Sequence, residues 1–296
     1  MNIPIGLVAI VAGARVLREV RDPSPLRPDA LGAALLAGAV GALVGAIVQG
    51  PDWGWGDPRV AALFALAAVL GAAVVARSAR HPAPVIEPAL VRVRAFAAAN
   101  LAAVLFFIAF AAMLLGSVLF LTRVWEESVL SAGLMLAPGP ATAALFAVPG
   151  GLLSARIGPR AVGAIGTALF TFGGVWWATR LGDTAHYARD LLPGMIVGGA
   201  GVGLVNPALA GAATAGLPPE RLATGTAVLS MARQLGSALG VALLVAVLGT
   251  GAGGAGAFDD AWALMAVAAG AAGVAFALVG PVRVAAPAAV AAEAAA

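Results

Sequence analysis

Gly151-Leu152-Leu153-Ser154-Ala155-Arg156-Ile157-Gly158-Pro159-Arg160 links two apolar runs, 131–153 and 161–179. Each run is near the ~20 residues that an α-helix needs to cross a bilayer core of about 30 Å. The link is too short for anything but a tight turn, and glycine supplies the turn. Arg156 and Arg160 mark this side of the membrane and are placed to bond the last carbonyls of the preceding helix. Two antiparallel membrane helices joined by a basic turn form the repeating unit of an all-α polytopic membrane protein.

Working outward, the same unit recurs. Apolar segments of spanning length lie at about 30–49, 60–77, 96–121, 191–214, 223–249 and 260–281, making eight with the first two. Of the 296 residues, 61% are hydrophobic and 10% charged, against about 25% charged in soluble domains. The mean hydropathy is +1.00. A soluble protein with an Ala-rich core is excluded by the length and number of these runs. All 17 basic residues are Arg, and they sit in short loops rather than on one polar face, so the pI of 10.8 does not indicate a nucleic-acid partner. The absence of Cys excludes disulfides, thiolate metal sites and cysteine nucleophiles.

A shorter apolar run, Ile3 to Ala12, precedes the eight. A signal peptide carries its positive charge ahead of the apolar stretch. Here Arg15, Arg18, Arg21 and Arg27 follow it instead. We therefore read residues 1–16 as the remnant of a truncated transmembrane helix.

Loop arginines set the expected topology. One set of alternate loops holds twelve: Arg15, Arg18, Arg21, Arg27, Arg77, Arg80, Arg92, Arg94, Arg156, Arg160, Arg221 and Arg283. The other holds four: Arg59, Arg123, Arg180 and Arg189. The first set is expected to be cytoplasmic, which puts the C-terminus inside. Trp53, Trp55, Trp125 and Tyr187 fall at the opposite boundary, where amphipathic rings anchor helix ends. Residues 78–95, rich in proline and charge, are the best candidate for a boundary between structural units. Two helices precede this stretch and six follow, and six is the size of one bundle in a two-bundle transporter.

The acids fall in loops or at helix ends, and none lies at mid-membrane depth, so no proton relay is evident. His81 and His186 also fall in loops. Polar residues inside the apolar segments are few. Asn100, Asn206, Arg233 and Gln234 are candidates for a transport path. Arg233 has two open readings: it snorkels to the near surface, or it faces the bundle interior and pairs with a carbonyl or a partner acid. For Asn100 and Gln234 a structural hydrogen bond between helices is the simpler role. Glycines four apart, at Gly41/Gly45, Gly194/Gly198, Gly199/Gly203 and Gly236/Gly240, are expected to let helices approach closely. The Gly199–Gly203 run lacks the strand and the acid that a nucleotide-binding loop requires. No cofactor or metal site is expected, and no cluster of His, Asp or Glu suggests an enzyme.

The turn at 151–160 resembles the signature inner loop of the major facilitator superfamily. Gly151, Arg156, Gly158 and Arg160 match it, while Ala155 stands where the signature has an acid. Other stretches resemble the fourteen-helix drug:proton antiporters (EmrB/QacA type) in order. Asn2 to Gly6 is similar to the end of their sixth helix, and Gln49 to Trp55 to the turn between two extra central helices. Ser131 to Gly139, Gly198 to Pro207 and Gly225 to Gly240 are similar to the tenth, twelfth and thirteenth. Thr122 and Glu126-Glu127 depart from the pattern. The resemblance implies two linker helices (17–95), a C-terminal six-helix bundle (96–282) and a cytoplasmic Ala-rich tail (283–296). It further implies export of hydrophobic or cationic compounds, or of one specific metabolite, driven by protons. The facing N-terminal six-helix bundle with its acidic sites would lie outside this chain. An inactive fragment and one half of a split transporter are the alternatives.

Overall fold

The computed structural model describes residues 29–218, 221–249 and 254–280, together with Gly6, Ala12, Gly13 and Arg15. The expected helix remnant at 1–16, apart from those four residues, and the tail at 283–296 lie outside the described residues. Among the described residues, eight helical spans are long and apolar enough to cross a membrane.

Two helices come first, α1 (Ala30–Trp53) and α2 (Pro58–Ser78), packed on each other. α1 runs a turn beyond the expected segment, through Pro51, and ends at Gly54, whose φ of +90° suits only glycine. The turn between them is therefore shorter than Gln49–Trp55. Asp57 caps α2 by accepting from the Arg59 N–H at 2.7 Å. The Arg59 guanidinium lies over the Trp53 ring, 4.4 Å from its centroid.

A one-turn helix, Pro88–Val91, leads into α3 (Arg94–Arg123). Leu90 is buried there against Phe96 and Val228. Next come α4 (Val129–Leu136) and α5 (Pro138–Ile157). These form one span, but the single helix expected at 131–153 is broken at Ala137. Pro138 has no N–H to donate, so the Leu134 carbonyl accepts from the Ala137 N–H instead, at 3.2 Å. α6 (Pro159–Arg180) follows, then a π-helical turn (Tyr187–Leu191) running into α7 (Leu192–Thr214). α8 (Leu222–Leu248) and α9 (Asp259–Leu278), the latter entered through a 3₁₀ turn at Ala255–Phe258, complete the bundle.

The main packing partners are α6 with α7, α8 with α3, α5 with α7, and α9 with both α3 and α6; α1 leans on α8. No hydrophobic force separates helix from lipid inside a bilayer, so close backbone contact and dispersion must hold these pairs. The glycines show where that contact occurs. A Cβ added at Gly236 or Gly240 would meet the carbonyl oxygens of Val104 or Ile108 on α3. At Gly199 it would lie 2.6 Å from the Gly139 carbonyl of α5, and at Gly203 2.6 Å from that of Ala143. Gly194 lies under the Trp177 indole, while Gly198 has more room, with only Phe170 nearby. Gly41 meets no atom within 4 Å, and Gly45 meets only the Leu63 side chain at 3.8 Å. An aromatic cluster fills the remaining interior: Trp262 lies 5.1 Å from Trp177 and 5.9 Å from Phe120, centroid to centroid.

The two ends of the bundle differ chemically. One carries Arg77, Arg92, Arg94, Arg156, Arg160 and Arg221 and is called the basic end below. The other is tied by side chains reaching across loops. Trp125 Nε1 donates to the Gly182 carbonyl at 2.9 Å, and Asp183 accepts from the Ala255 N–H at 2.7 Å.

Candidate functional site

A cavity of about 280 Å³ opens between α3, the α4–α5 break, α6 and α7, toward the end opposite the basic one. Phe110, Met113 and Ser117 contribute one wall at helical spacing, and Met195, Gly199 and Val202 another. The break at Ala137 brings Leu136 and Gly139 to a third side, and Trp177 closes the space. Its ring is fixed because Trp177 Nε1 donates to the Leu191 carbonyl at 3.0 Å. Tyr187 similarly donates its hydroxyl to the Met135 carbonyl at 3.0 Å, holding the end of α4. The Ser117 hydroxyl donates back to the Met113 carbonyl at 2.6 Å. Its donor capacity is thus used within the helix, and the walls are apolar. No titratable side chain lines this cavity, so it suits binding rather than acid–base or nucleophilic chemistry.

Toward the basic end, further aromatic rings pack beyond Phe110. Phe107 meets Phe110 edge-on at 5.7 Å, and Phe106 meets Phe170 at 5.1 Å. Arg233 sits behind them, its guanidinium 4.6 Å from the Phe107 centroid. It lies eleven residues beyond the start of α8, about 16 Å along the axis at 1.5 Å per residue. The sequence left Arg233 two readings; its guanidinium packs on an aromatic ring while the side chain stays partly exposed, and among the described residues neither a carbonyl nor a carboxylate accepts from it.

The structure does not bring the four polar candidates together. Asn100 and Gln234 line a separate cleft of about 820 Å³ at the basic end, between α1, α3 and α8. Asn100 donates to the Phe96 carbonyl of its own helix at 2.8 Å, leaving its buried Oδ1 without a partner. Asn206 likewise donates to Val202 at 3.2 Å, and its Oδ1 is also unpartnered. Both amides bond within their own helices, not across a helix pair.

In the 151–160 turn, Gly158 adopts φ +87° and its N–H donates to the Ser154 carbonyl at 3.0 Å. That bond closes the helix. The expected capping by Arg156 and Arg160 is replaced, because both side chains point outward and are exposed. A Cβ added at Gly151 would meet only Pro207 of α7, at 3.9 Å.

One feature was not legible in the sequence. Asp29, buried at the start of α1, accepts from the Gly32 N–H at 2.8 Å and from Arg77 Nε at 2.6 Å. Burial pushes its carboxyl up, but the Gly32 bond and the Arg77 guanidinium outweigh this and hold it below the usual carboxylate range. Asp57 is held low mainly by its Arg59 bonds. The cavity was missed as well. Its only sequence signal is the stripe Phe110, Met113, Ser117, which reads equally as core.

The family model of the Major Facilitator Superfamily matches residues 5–241. The chain is 28% identical over 89% of its length to the tetracenomycin C resistance and export protein of Streptomyces glaucescens, covering 48% of that protein. It is 31% identical over 82% of its length to the puromycin resistance protein pur8 of Streptomyces alboniger, covering 49% of it. It is 30% identical over 84% of its length to the multidrug resistance protein Stp of Mycobacterium tuberculosis, covering 46%. The chain thus spans about half the length of these relatives. With its all-helical fold and eight apolar spans, the chain belongs to the Major Facilitator Superfamily.

Proposed function

We propose that the six-helix unit α3–α9 supplies one side of the substrate path in a proton-coupled exporter of hydrophobic compounds in the cell membrane. The observation that carries this reading is the apolar, aromatic-walled cavity with no titratable lining, closed by the immobilised Trp177. Resistance and export proteins among the relatives support the substrate class. Relatives named for a single compound, tetracenomycin C or puromycin, favour a dedicated metabolite as the second reading.

A facing bundle completes the path. Leu145, Val148 and Leu152 form one stripe along α5 and are exposed, which suits contact with lipid or with that bundle. Alternating access then consists of this unit rocking against its partner, while glycine-to-carbonyl contacts keep the unit rigid. Protons cross elsewhere: among the described residues every carboxylate lies in a loop or within about two turns of the end of a span. The basic end faces the cytoplasm.

The test uses the chain reconstituted in vesicles. We expect saturable binding of a neutral fluorescent naphthalene and no substrate-driven proton flux. Proton flux from this chain alone would place the relay within it, against this reading. Absence of saturable binding would remove the cavity as a substrate site.

A further inference from the structure

The cavity between α3, the α4–α5 break, α6 and α7 presents a ligand with one unused polar side-chain function, and it is an acceptor. Apart from the Trp177 indole, Ser117 carries the only hydroxyl, amide or charged group among the described residues that line it. The indole N–H is committed to the Leu191 carbonyl. Ser117 is 2% exposed, and its hydroxyl hydrogen is committed too. Its Oγ lies 2.6 Å from the Met113 carbonyl and 3.3 Å from that of Leu114. Both are bonds that Oγ donates, and among the described residues nothing donates to it in return. A hydroxyl oxygen has two lone pairs, and giving its proton away makes it a better acceptor. The cavity walls therefore hold a side-chain acceptor and no free side-chain donor.

We propose that Ser117 sets the ligand class of this cavity by accepting from an O–H or N–H donor on a neutral aromatic compound. This rests on the reading of the cavity as a substrate site and narrows hydrophobic compounds to those that carry a donor. The remaining walls shape the body of the ligand. Phe110 and Trp177 suit an aromatic ring, and the thioethers of Met113 and Met195 pack well against one. A volume of about 280 Å³ is at the small end for a ligand pocket, so the body is a compact ring system rather than a large polycycle. A donor gains a bond to Oγ without breaking one. An ether of the same shape must first draw the Ser117 proton away from Met113. An ion of either sign meets no counter-charge on the cavity walls.

Two isomeric probes test this on the purified chain: 2-(1-naphthyl)ethanol, which has a donor, and 1-(methoxymethyl)naphthalene, which has the same formula and none. We expect the alcohol to bind about fivefold more tightly than the ether, the worth of one neutral hydrogen bond. In Ser117→Ala the two isomers should bind within about twofold of each other. Ether affinity should stay within about twofold of wild type, which also reports that the variant is folded. Ser117→Thr keeps the preference, because its hydroxyl makes the same bond back along the helix, and its extra methyl group lowers both affinities together. Equal binding of the isomers to the wild-type chain would overturn the proposal and leave the cavity standing. So would a preference that survives in Ser117→Ala. Failure of both probes to bind would overturn the cavity reading as well.

Discussion

Arg77 and Asp29 are 48 residues apart, yet Arg77 Nε donates to Asp29 Oδ1 at 2.6 Å and locks the end of α2 to the start of α1. The Asp29 side chain is 1% exposed and Arg77 is 32% exposed. One carboxylate thus caps a helix through Gly32 and joins it to its neighbour. Because the folded state holds the Asp29 carboxyl below its ordinary range, the contribution is fully present above that range. It is lost as the pH falls through the depressed value, since the unfolded chain takes up the proton first. Amide exchange in the first turn of α1 should therefore accelerate on acidification below about pH 4, where an ordinary Asp protonates. Asp29→Asn should show the fast exchange already at neutral pH. Protection that is unchanged by pH and by the substitution would mean the pair does not hold the two helices.

The glycines divide into two classes that substitution should separate. Gly236→Leu would drive a side chain into the Val104 carbonyl and the Phe107 Cβ. Overpacking of this kind costs about 1–3 kcal/mol or more, so the melting temperature in detergent should fall clearly. A Cβ added at the exposed Gly41 meets no atom within 4 Å, so Gly41→Leu should change stability by less than about 0.5 kcal/mol. Equal melting of the two variants would show that the α3–α8 contact is not as close as described.

Legibility in the sequence followed how local each cause is. The eight spans were readable because a bilayer demands an uninterrupted apolar run, and the run is visible residue by residue. Spacing marked Gly236 and Gly240 but equally marked Gly41 and Gly45, and only the neighbouring helix distinguishes them. Prolines were similarly ambiguous: Pro138 breaks a helix, whereas Pro51, Pro149 and Pro207 lie within helices. The cavity stayed hidden because Phe110, Met113 and Val202 are ordinary core residue types, and what makes them a wall is the space opposite. Asp29 looked like a loop acid because its partner comes from another helix. Arg233 stood out in the sequence, but its environment depends on a ring of α3.

Trp177 is 1% exposed, and its Nε1 hydrogen bond to Leu191 fixes the junction of α6 with the π-helical turn. Trp177→Phe keeps most of the apolar contact but leaves the Leu191 carbonyl without this donor. Leu191 is the N-cap of α7, where its carbonyl also serves the first helical bond, so loss of the indole bond costs about 0.5–1.5 kcal/mol. We expect destabilisation of that size, with a looser cavity that binds the naphthyl probes more weakly. A variant with wild-type melting and binding would show that the indole N–H has no part in closing the cavity.

Val202 faces the cavity from α7 and is 8% exposed. Replacing it with Trp places an indole in a space of about 280 Å³ without adding charge or a backbone constraint. Because the cavity is empty volume rather than packed core, the added ring has somewhere to go, and the overpacking cost should stay at the low end of about 1 kcal/mol. Binding of the neutral naphthyl alcohol should nevertheless fall at least tenfold, since probe and indole compete for the same volume. The two readouts separate the cases. Lost binding with near-normal melting identifies the cavity as the binding space. A large drop in melting temperature would instead mean that Val202 belongs to tightly packed core. Unchanged binding would move the substrate path to the Asn100–Gln234 cleft at the basic end.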